Sequence, residues 1–233
     1  VGCNMGCRFC ESGRLKKVRN LTAGEMVEQI LKVEEDINTR ITHVVIMGIG
    51  EPLDNYDNIS RTIDVLTSSW GFGWSPKRIT LSTVGIIPML ERFLKESKCH
   101  LAVSLHNPFG VQRAELMPMQ KPYPIEEVVR LIKKFDFTGQ RRVSFEYIVF
   151  SGVNDSKAHS DELVRILKGL ECRVNLIRFH AIPNSSLKTT SDEEMESFKN
   201  RLNSQGLLTT IRASRGEDIF AACGLLSGQK SKK

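Results

Sequence analysis

The sequence predicts an α/β protein, a mostly parallel sheet built from strand–helix units and curved into an open, partial barrel. Three observations carry that reading. Short β-branched runs alternate with helical patterns along the whole chain, which is the signature of βαβ units. A length of 233 residues suits one large domain with a substantial core better than two small ones. A composition of 40% apolar and 26% charged residues is an ordinary globular balance, which excludes disordered, collagenous and coiled-coil architectures.

Taken in order, residues 42–48 (THVVIMG), 78–82 (RITLS), 100–105 (HLAVSL), 143–150 (VSFEYIVF) and 174–179 (VNLIRF) read as strands of a buried parallel sheet. Residues 207–211 are a candidate extra strand. Helical patterns lie between them. The pattern over 22–36 opens with Thr22 and Glu25 three residues later, a capping box, and 191–203 opens with the same device in Ser191 and Glu194. Residues 55–68, 86–96, 125–135 and 160–170 supply the other helices. Five strands follow the cysteine-rich start, and a strand just before Val1 would complete six βα units. No internal repeat or long linker divides the chain, and the tail 228–233 is short and basic. In such sheets the functional groups gather at the C-terminal ends of the strands.

Three of the six cysteines fall in the first ten residues, as Cys3-Asn-Met-Gly-Cys7-Arg-Phe-Cys10. That grouping is no disulfide framework. A structural zinc wants a fourth protein ligand, and bacterial ferredoxins also bring a fourth cysteine. Three thiolates can hold three irons of a 4Fe–4S cluster and leave the fourth iron open. The C-x3-C-x-Φ-C pattern, with Phe9 as the aromatic, resembles the signature of the radical S-adenosylmethionine (SAM) superfamily. The resemblance implies a 4Fe–4S cluster on Cys3, Cys7 and Cys10 that splits SAM into methionine and a 5′-deoxyadenosyl radical.

Gly48-Ile-Gly50-Glu51-Pro52 directly follows the strand THVVIM and is similar to the GGEP element with which that superfamily binds SAM. Its glycines let backbone approach a ligand closely, and Glu51 can face the SAM ammonium. The next strands end in Ser82-Thr-Val and Ser104-Leu105-His106. In this resemblance Gly50, Glu51, Ser82, Ser104, Leu105 and His106 are cofactor-binding residues.

Near the other end, Arg215-Gly-Glu-Asp…Ala-Ala-Cys223-Gly resembles the C-terminal signature of the radical-SAM RNA methyltransferases that modify C2 of an adenine in ribosomal RNA and tRNA. Sister enzymes methylate C8. Asn20-Leu-Thr22, Met47 to Leu53, Leu81-Ser-Thr83, Ser104-Leu-His106 and Asn154-Asp155 match in the same order. The resemblance makes residues 1–233 a catalytic domain, with a cluster loop at 1–13 and a Cys223-bearing loop at 207–228. It implies a first SAM that methylates Cys223 and a second that yields the radical. That radical takes hydrogen from the S-methyl group, and the resulting methylene adds to the adenine ring. A second cysteine then releases the RNA. That cysteine, a first strand and an N-terminal RNA-binding domain with a general-base glutamate are expected before Val1. Cys99 and Cys172, at strand starts on the opposite face of the sheet, read as structural.

Two stretches depart from the family pattern. A Gly-rich continuation after the cluster is replaced by Glu11-Ser-Gly-Arg-Leu-Lys-Lys17. The Ile-Pro-x-Asn-Pro of the last barrel strand becomes Ile177-Arg-Phe-His180-Ala-Ile-Pro183, so His180 stands where the family has an asparagine that touches SAM. A net charge of +6 permits an RNA partner without demanding one. Arg14, Lys16, Lys17 and Arg19 beside the cluster loop, with Arg212 and Arg215 around the Cys223 loop, are candidate phosphate contacts. Arg141 and Arg142 enter a strand from the far end and are discounted.

No run approaches the roughly 18 apolar residues of a membrane span, and residues 1–30 lack a secretory pattern. A low-potential cluster and free thiols imply a reducing, cytoplasmic setting, and a monomeric enzyme served by a flavodoxin-type electron donor is expected. The competing readings are a radical-SAM activase acting on a protein partner, for which Cys223 has no use, and a non-catalytic metal-stabilised RNA-binding module, for which Gly50-Glu51 has none.

Overall fold

Six strands lie side by side in chain order, and every neighbouring pair is parallel. They are β1 Val44–Ile46, β2 Ile79–Thr83, β3 His100–Ser104, β4 Val143–Val149, β5 Arg173–Arg178 and β6 Thr209–Ile211. Among the described residues seven α-helices accompany them: α1 Ala23–Ile37, α2 Tyr56–Thr67, α3 Ile87–Glu96, α4 Gly110–Leu116, α5 Ile125–Ile132, α6 Lys157–Leu167 and α7 Asp192–Ser204. The computed structural model describes residues 1–137, 141–183, 185–214, 216 and 225. Among them no helix is long and apolar enough to cross a membrane.

The pleat sorts the residues of each strand. In β4, Val143, Phe145, Tyr147 and Val149 join the large core beneath the helices, with Leu90, Phe93, Ile132, Leu163 and Phe198 among its members. The alternate residues Ser144, Glu146 and Ile148 face the other way. Pairing then aligns Ser104, Glu146, Asn175 and Thr210 across four strands. That row is polar, so the inner face is a lumen and not a second packed core. A smaller apolar cluster closes its upper end, where Met5, Cys7 and Phe9 pack with Val84, Leu116, Met117 and Phe150.

Both predicted capping boxes form, at Thr22 with Glu25 and at Ser191 with Glu194. Three elements differ from the sequence reading. The sixth strand of the sheet is Thr209–Ile211, the segment read only as a candidate, and it pairs with β5. Helix α6 begins at Lys157 because Ser156 caps it through the His159 N–H, so Ser160 lies buried inside the helix. Helix α4 was not predicted. Its seven residues follow a Pro-Phe-Gly turn and have little intrinsic reason to coil; the burial of Arg113 and Leu116 holds them.

Candidate active site

The cysteine loop folds back on itself and onto the strand ends. Val18 N–H donates to Val1 O at 2.8 Å and Cys10 N–H to Cys7 O at 3.3 Å. Two glycines are obligatory here. Gly2 has φ +81° and a Cβ there would stand 2.4 Å from Lys16 O, while one at Gly13 would stand 2.9 Å from Cys7 O. The loop is moored to the barrel by Arg8 N–H, which donates to Leu116 O at 3.0 Å. Cys7 is buried, Cys3 and Cys10 half-buried. Burial, then the neighbouring Cys10 and Cys3, push the Cys7 thiol up to about 12, and burial also raises Cys3. Thiols raised in this way ionise readily only when a cation joins them.

The loop after β1 presents Glu51. Its carboxylate accepts from the Thr83 hydroxyl at 2.5 Å, Val84 N–H at 2.9 Å and Leu53 N–H at 3.0 Å. These donors fix the group at the ends of β1 and β2. Burial opposes them and pushes the carboxyl up to about 7. Two residues before it, Ile49 has φ +42°, which is costly for a β-branched residue.

His106, just past β3, has φ +55°. Its Nδ1 accepts from Ile148 N–H at 3.0 Å, which leaves the ring proton on Nε2. Burial, and then Arg113, lower its pKa to about 3, so the ring is neutral. Phe9 meets this ring edge-on at 4.8 Å between centroids, joining the cysteine loop to the strand end. Asn154 locks the same corner: its amide donates to His106 O at 2.6 Å and Ile148 O at 2.7 Å, and its Oδ1 accepts from Phe150 N–H at 2.7 Å.

These groups surround a cavity of about 630 Å³ at the C-terminal ends of the strands. Cys3, Cys7 and Cys10 line it, and so do Gly50, Glu51, Ser82, Ser104, His106 and His180. Of the predicted set, Leu105 alone turns its side chain into the core, and its carbonyl accepts from Arg113 Nε at 2.9 Å. His180 Nε2 is 3.0 Å from Ser214 Oγ. Cys223 and Arg215 lie outside the described residues. Cys99 and Cys172 sit where expected, directly before β3 and β5 on the opposite face.

The basic run beside the loop is largely paired: Arg14 with Glu11 at 3.1 Å, Lys17 with Asp54 at 2.7 Å and Arg19 with Glu25 at 2.6 Å. Those acids cancel much of the field expected from the four cations.

Sequence reasoning missed two buried charges. Glu146 lies on the floor of the cavity. Its Oε1 accepts from Ser144 Oγ at 2.9 Å and Asn175 Nδ2 at 2.8 Å, while its buried Oε2 has no hydrogen-bond partner among the described residues. Arg212 Nη1 is 3.7 Å from that oxygen. A charged residue in the middle of an apolar strand was the available signal. Arg113 is the second, and no local pattern marks it.

Among the described residues no three His, Cys, Asp or Glu side chains converge as the ligands of one ion do. Thiols spread along one wall suit a multi-iron cluster, whose ligands bind different irons, better than a lone tetrahedral zinc. The orphaned Glu146 oxygen and the Nε2–H of His106 suit a polar ligand beside it.

The sequence matches the family model of the Radical SAM superfamily over residues 1–164. It is 55% identical over 233 residues to a probable dual-specificity RNA methyltransferase RlmN of Bacteroides fragilis, covering 100% of this chain and 67% of that one. It is 43% identical over 231 residues to the dual-specificity RNA methyltransferase RlmN of Syntrophus aciditrophicus, covering 98% of this chain and 66% of that one. A crystal structure of a radical SAM methyltransferase from Sphaerobacter thermophilus superposes with a TM-score of 0.93 at 40% identity, over 98% of this chain and 68% of that chain. Streptococcus suis SuiB bound to S-adenosylmethionine shares the fold, with a TM-score of 0.66 at 18% identity over 92% of this chain and 49% of that chain.

Proposed function

This chain belongs to the radical SAM superfamily and, within it, to the RlmN family of RNA methyltransferases, and from that premise we propose that it methylates C2 of an adenine in ribosomal RNA and tRNA with Cys223 as methyl carrier. Its cofactors are a 4Fe–4S cluster and SAM. The observation that carries the reading is the 630 Å³ cavity, whose one wall is the three-cysteine loop and whose other walls are the strand-end residues Glu51, Ser82, Ser104, His106 and His180.

When bound, the cluster supplies the electron that cleaves SAM to methionine and a 5′-deoxyadenosyl radical. The residues of this chain bind, orient and shield. Cys3, Cys7 and Cys10 hold the irons. Glu51, held by three donors, faces the SAM ammonium. His106 stays neutral and offers Nε2–H to an acceptor on the ligand, and the Ser82 and Ser104 hydroxyls can donate or accept along the same rim. Met5, Phe9, Met117, Ile148 and Ile177 make the rest of the wall apolar, which keeps water away from a reactive radical. The Cys223 thiolate takes a methyl group from the SAM sulfonium and leaves S-adenosylhomocysteine. Amidine carbons of adenine are electrophilic and repel a methyl cation, so the carbon must arrive as a radical. The target base must be unstacked to reach the cavity. With the basic run at Arg14–Arg19 mostly ion-paired, Arg8 and Lys16, both exposed, are the stronger candidates for phosphate contact.

The test is anaerobic. The cluster is reconstituted, SAM and dithionite are added, and 5′-deoxyadenosine is measured with the mass of the Cys223 peptide from the same tube. Deoxyadenosine together with a one-methylene mass gain on Cys223 is expected. Deoxyadenosine with an unmodified Cys223 would overturn the methyl-carrier role while leaving the radical chemistry. A folded chain without cluster or deoxyadenosine would overturn the enzyme reading.

A further inference from the structure

Arg113 is fully buried, and every hydrogen bond it makes goes to a neutral acceptor. Its Nε donates to Leu105 O at 2.9 Å, Nη1 to Gln120 Oε1 at 2.7 Å, and Nη2 to Ser104 O at 2.9 Å and Val84 O at 3.3 Å. A buried guanidinium is ordinarily kept beside a carboxylate. The acid that this network reaches, Glu126, is one side chain removed, through Gln120 Nε2 at 3.3 Å. Burial lowers the Arg113 pKa only to about 10, so the charge persists at neutral pH.

The cysteine loop is moored to the helix that carries the guanidinium. Helix α4, which carries Arg113, takes the loop at its C-terminal end through Arg8 N–H and Leu116 O. Cys7 packs in one apolar cluster with Leu116, Met117 and Val84, the last of which gives its carbonyl to Arg113.

We propose that Arg113 is a positioning residue of the iron–sulfur site, a permanent cation behind Cys7 that raises the reduction potential of the cluster and ties the ends of β2 and β3 together beneath it. The proposal rests on the cluster reading given above. A cluster held by three thiolates is net negative and gains one further negative charge when a low-potential donor reduces it by one electron. A fixed positive charge across a dry, apolar gap favours the more negative state. The chain thus supplies at Cys7 a counter-charge that needs no carboxylate, because the cluster itself is the anion.

The test uses the full chain, reconstituted anaerobically, with the midpoint potential read by EPR during titration with dithionite. Arg113→Gln removes the charge and Arg113→Lys keeps it. The pair Gln120→Glu with Glu126→Gln keeps the hydrogen-bonding partners of Arg113 Nη1 and of Ile125 N–H, which donates to Gln120 Oε1, and moves a carboxylate onto the guanidinium. The charge-removing and charge-pairing variants are expected to lose about tenfold in the ratio of reduced to oxidised cluster at a fixed potential, a shift of about 59 mV for one electron. Arg113→Lys should stay with the parent. If Arg113→Gln does not fold, the exchanged pair decides alone. Equal potentials in the parent and the exchanged pair, with iron, sulfide and melting temperature matched, would overturn the proposal. A parent that binds no iron or sulfide would overturn the cluster reading instead.

Discussion

Each end of the sheet buries an arginine near a cysteine, and the two ends use the pair differently. At the N-terminal ends of the strands Arg141 donates to Cys99 O at 3.0 Å and Leu94 O at 3.3 Å, and its guanidinium lies over the rings of Phe93 and Phe137 at 5.6 and 5.1 Å. At the C-terminal ends Arg113 spends its donors on carbonyls and one amide, and its cysteine lines a cavity. Backbone strain divides in the same way. The positive φ that leads into β1 falls on Asn38, which caps α1 and tolerates it. The two at the other end fall on His106 and on the β-branched Ile49, for which it is costly. One end turns its arginine into the packing, with Nε and Nη1 on carbonyls and the guanidinium over two rings. The other accepts strain so that polar groups face a ligand.

The largest test of that contrast sets Cys7 against Cys99. Cys7→Ser should abolish cluster absorbance and deoxyadenosine formation. Cys99→Ser should keep both and lower stability by about 1–3 kcal/mol, the cost of a buried hydroxyl. Cluster loss in the Cys99 variant would erase the distinction between the ends.

Glu51 gives the next effect. Its carboxyl must be ionised to face an ammonium, and burial holds it near 7. SAM affinity should therefore fall as pH drops through about 7, and Glu51→Gln should bind at least about tenfold more weakly at pH 8 with no such slope. Calorimetry at several pH values reads both. In the ligand-free chain the raised carboxyl holds its proton more tightly folded than unfolded. Its stabilising contribution is full below about pH 4.3 and is lost as pH rises through about 7. Urea unfolding should show that loss in the parent and not in Glu51→Gln.

Arg141→Met sharpens the contrast from the packed end. It leaves the Cys99 and Leu94 carbonyls without their donor and should cost about 2 kcal/mol by urea unfolding, with cluster content per chain unchanged. Smallest is Ile49→Gly, which removes a left-handed β-branched residue and should stabilise the ligand-free chain by about 1 kcal/mol. A fall in melting temperature there would show that Ile49 is not strained.

How much of this was legible in the sequence follows from where each signal lives. Strands and long helices announce themselves by local periodicity and caps, so Thr22, Glu25, Ser191 and Glu194 read correctly. Cys3, Cys7, Cys10 and Gly50-Glu51 stood out because each group has its spacing within a single loop, and the structure brings both loops to one cavity. Helix α4, the Phe9–His106 contact and the Arg113 network were not: the helix is too short to show a period and is held by burial, and the other two depend on how the chain packs in three dimensions. Leu105 differs from its two neighbours in the motif: its side chain joins the core, while Ser104 and His106 line the cavity.

The strand order has a consequence for biosynthesis. Because each strand pairs with the one made just before it, the sheet can be laid down progressively as the chain leaves the ribosome, with few distant partners to await. The cavity is the exception. Its cysteine loop emerges before β1, while His180 and Arg212–Ser214 arrive with the last strands. Iron loading that requires a finished pocket must therefore follow synthesis of β6, and a ribosome stalled before Thr209 would display three reduced thiols in a site that has not yet closed.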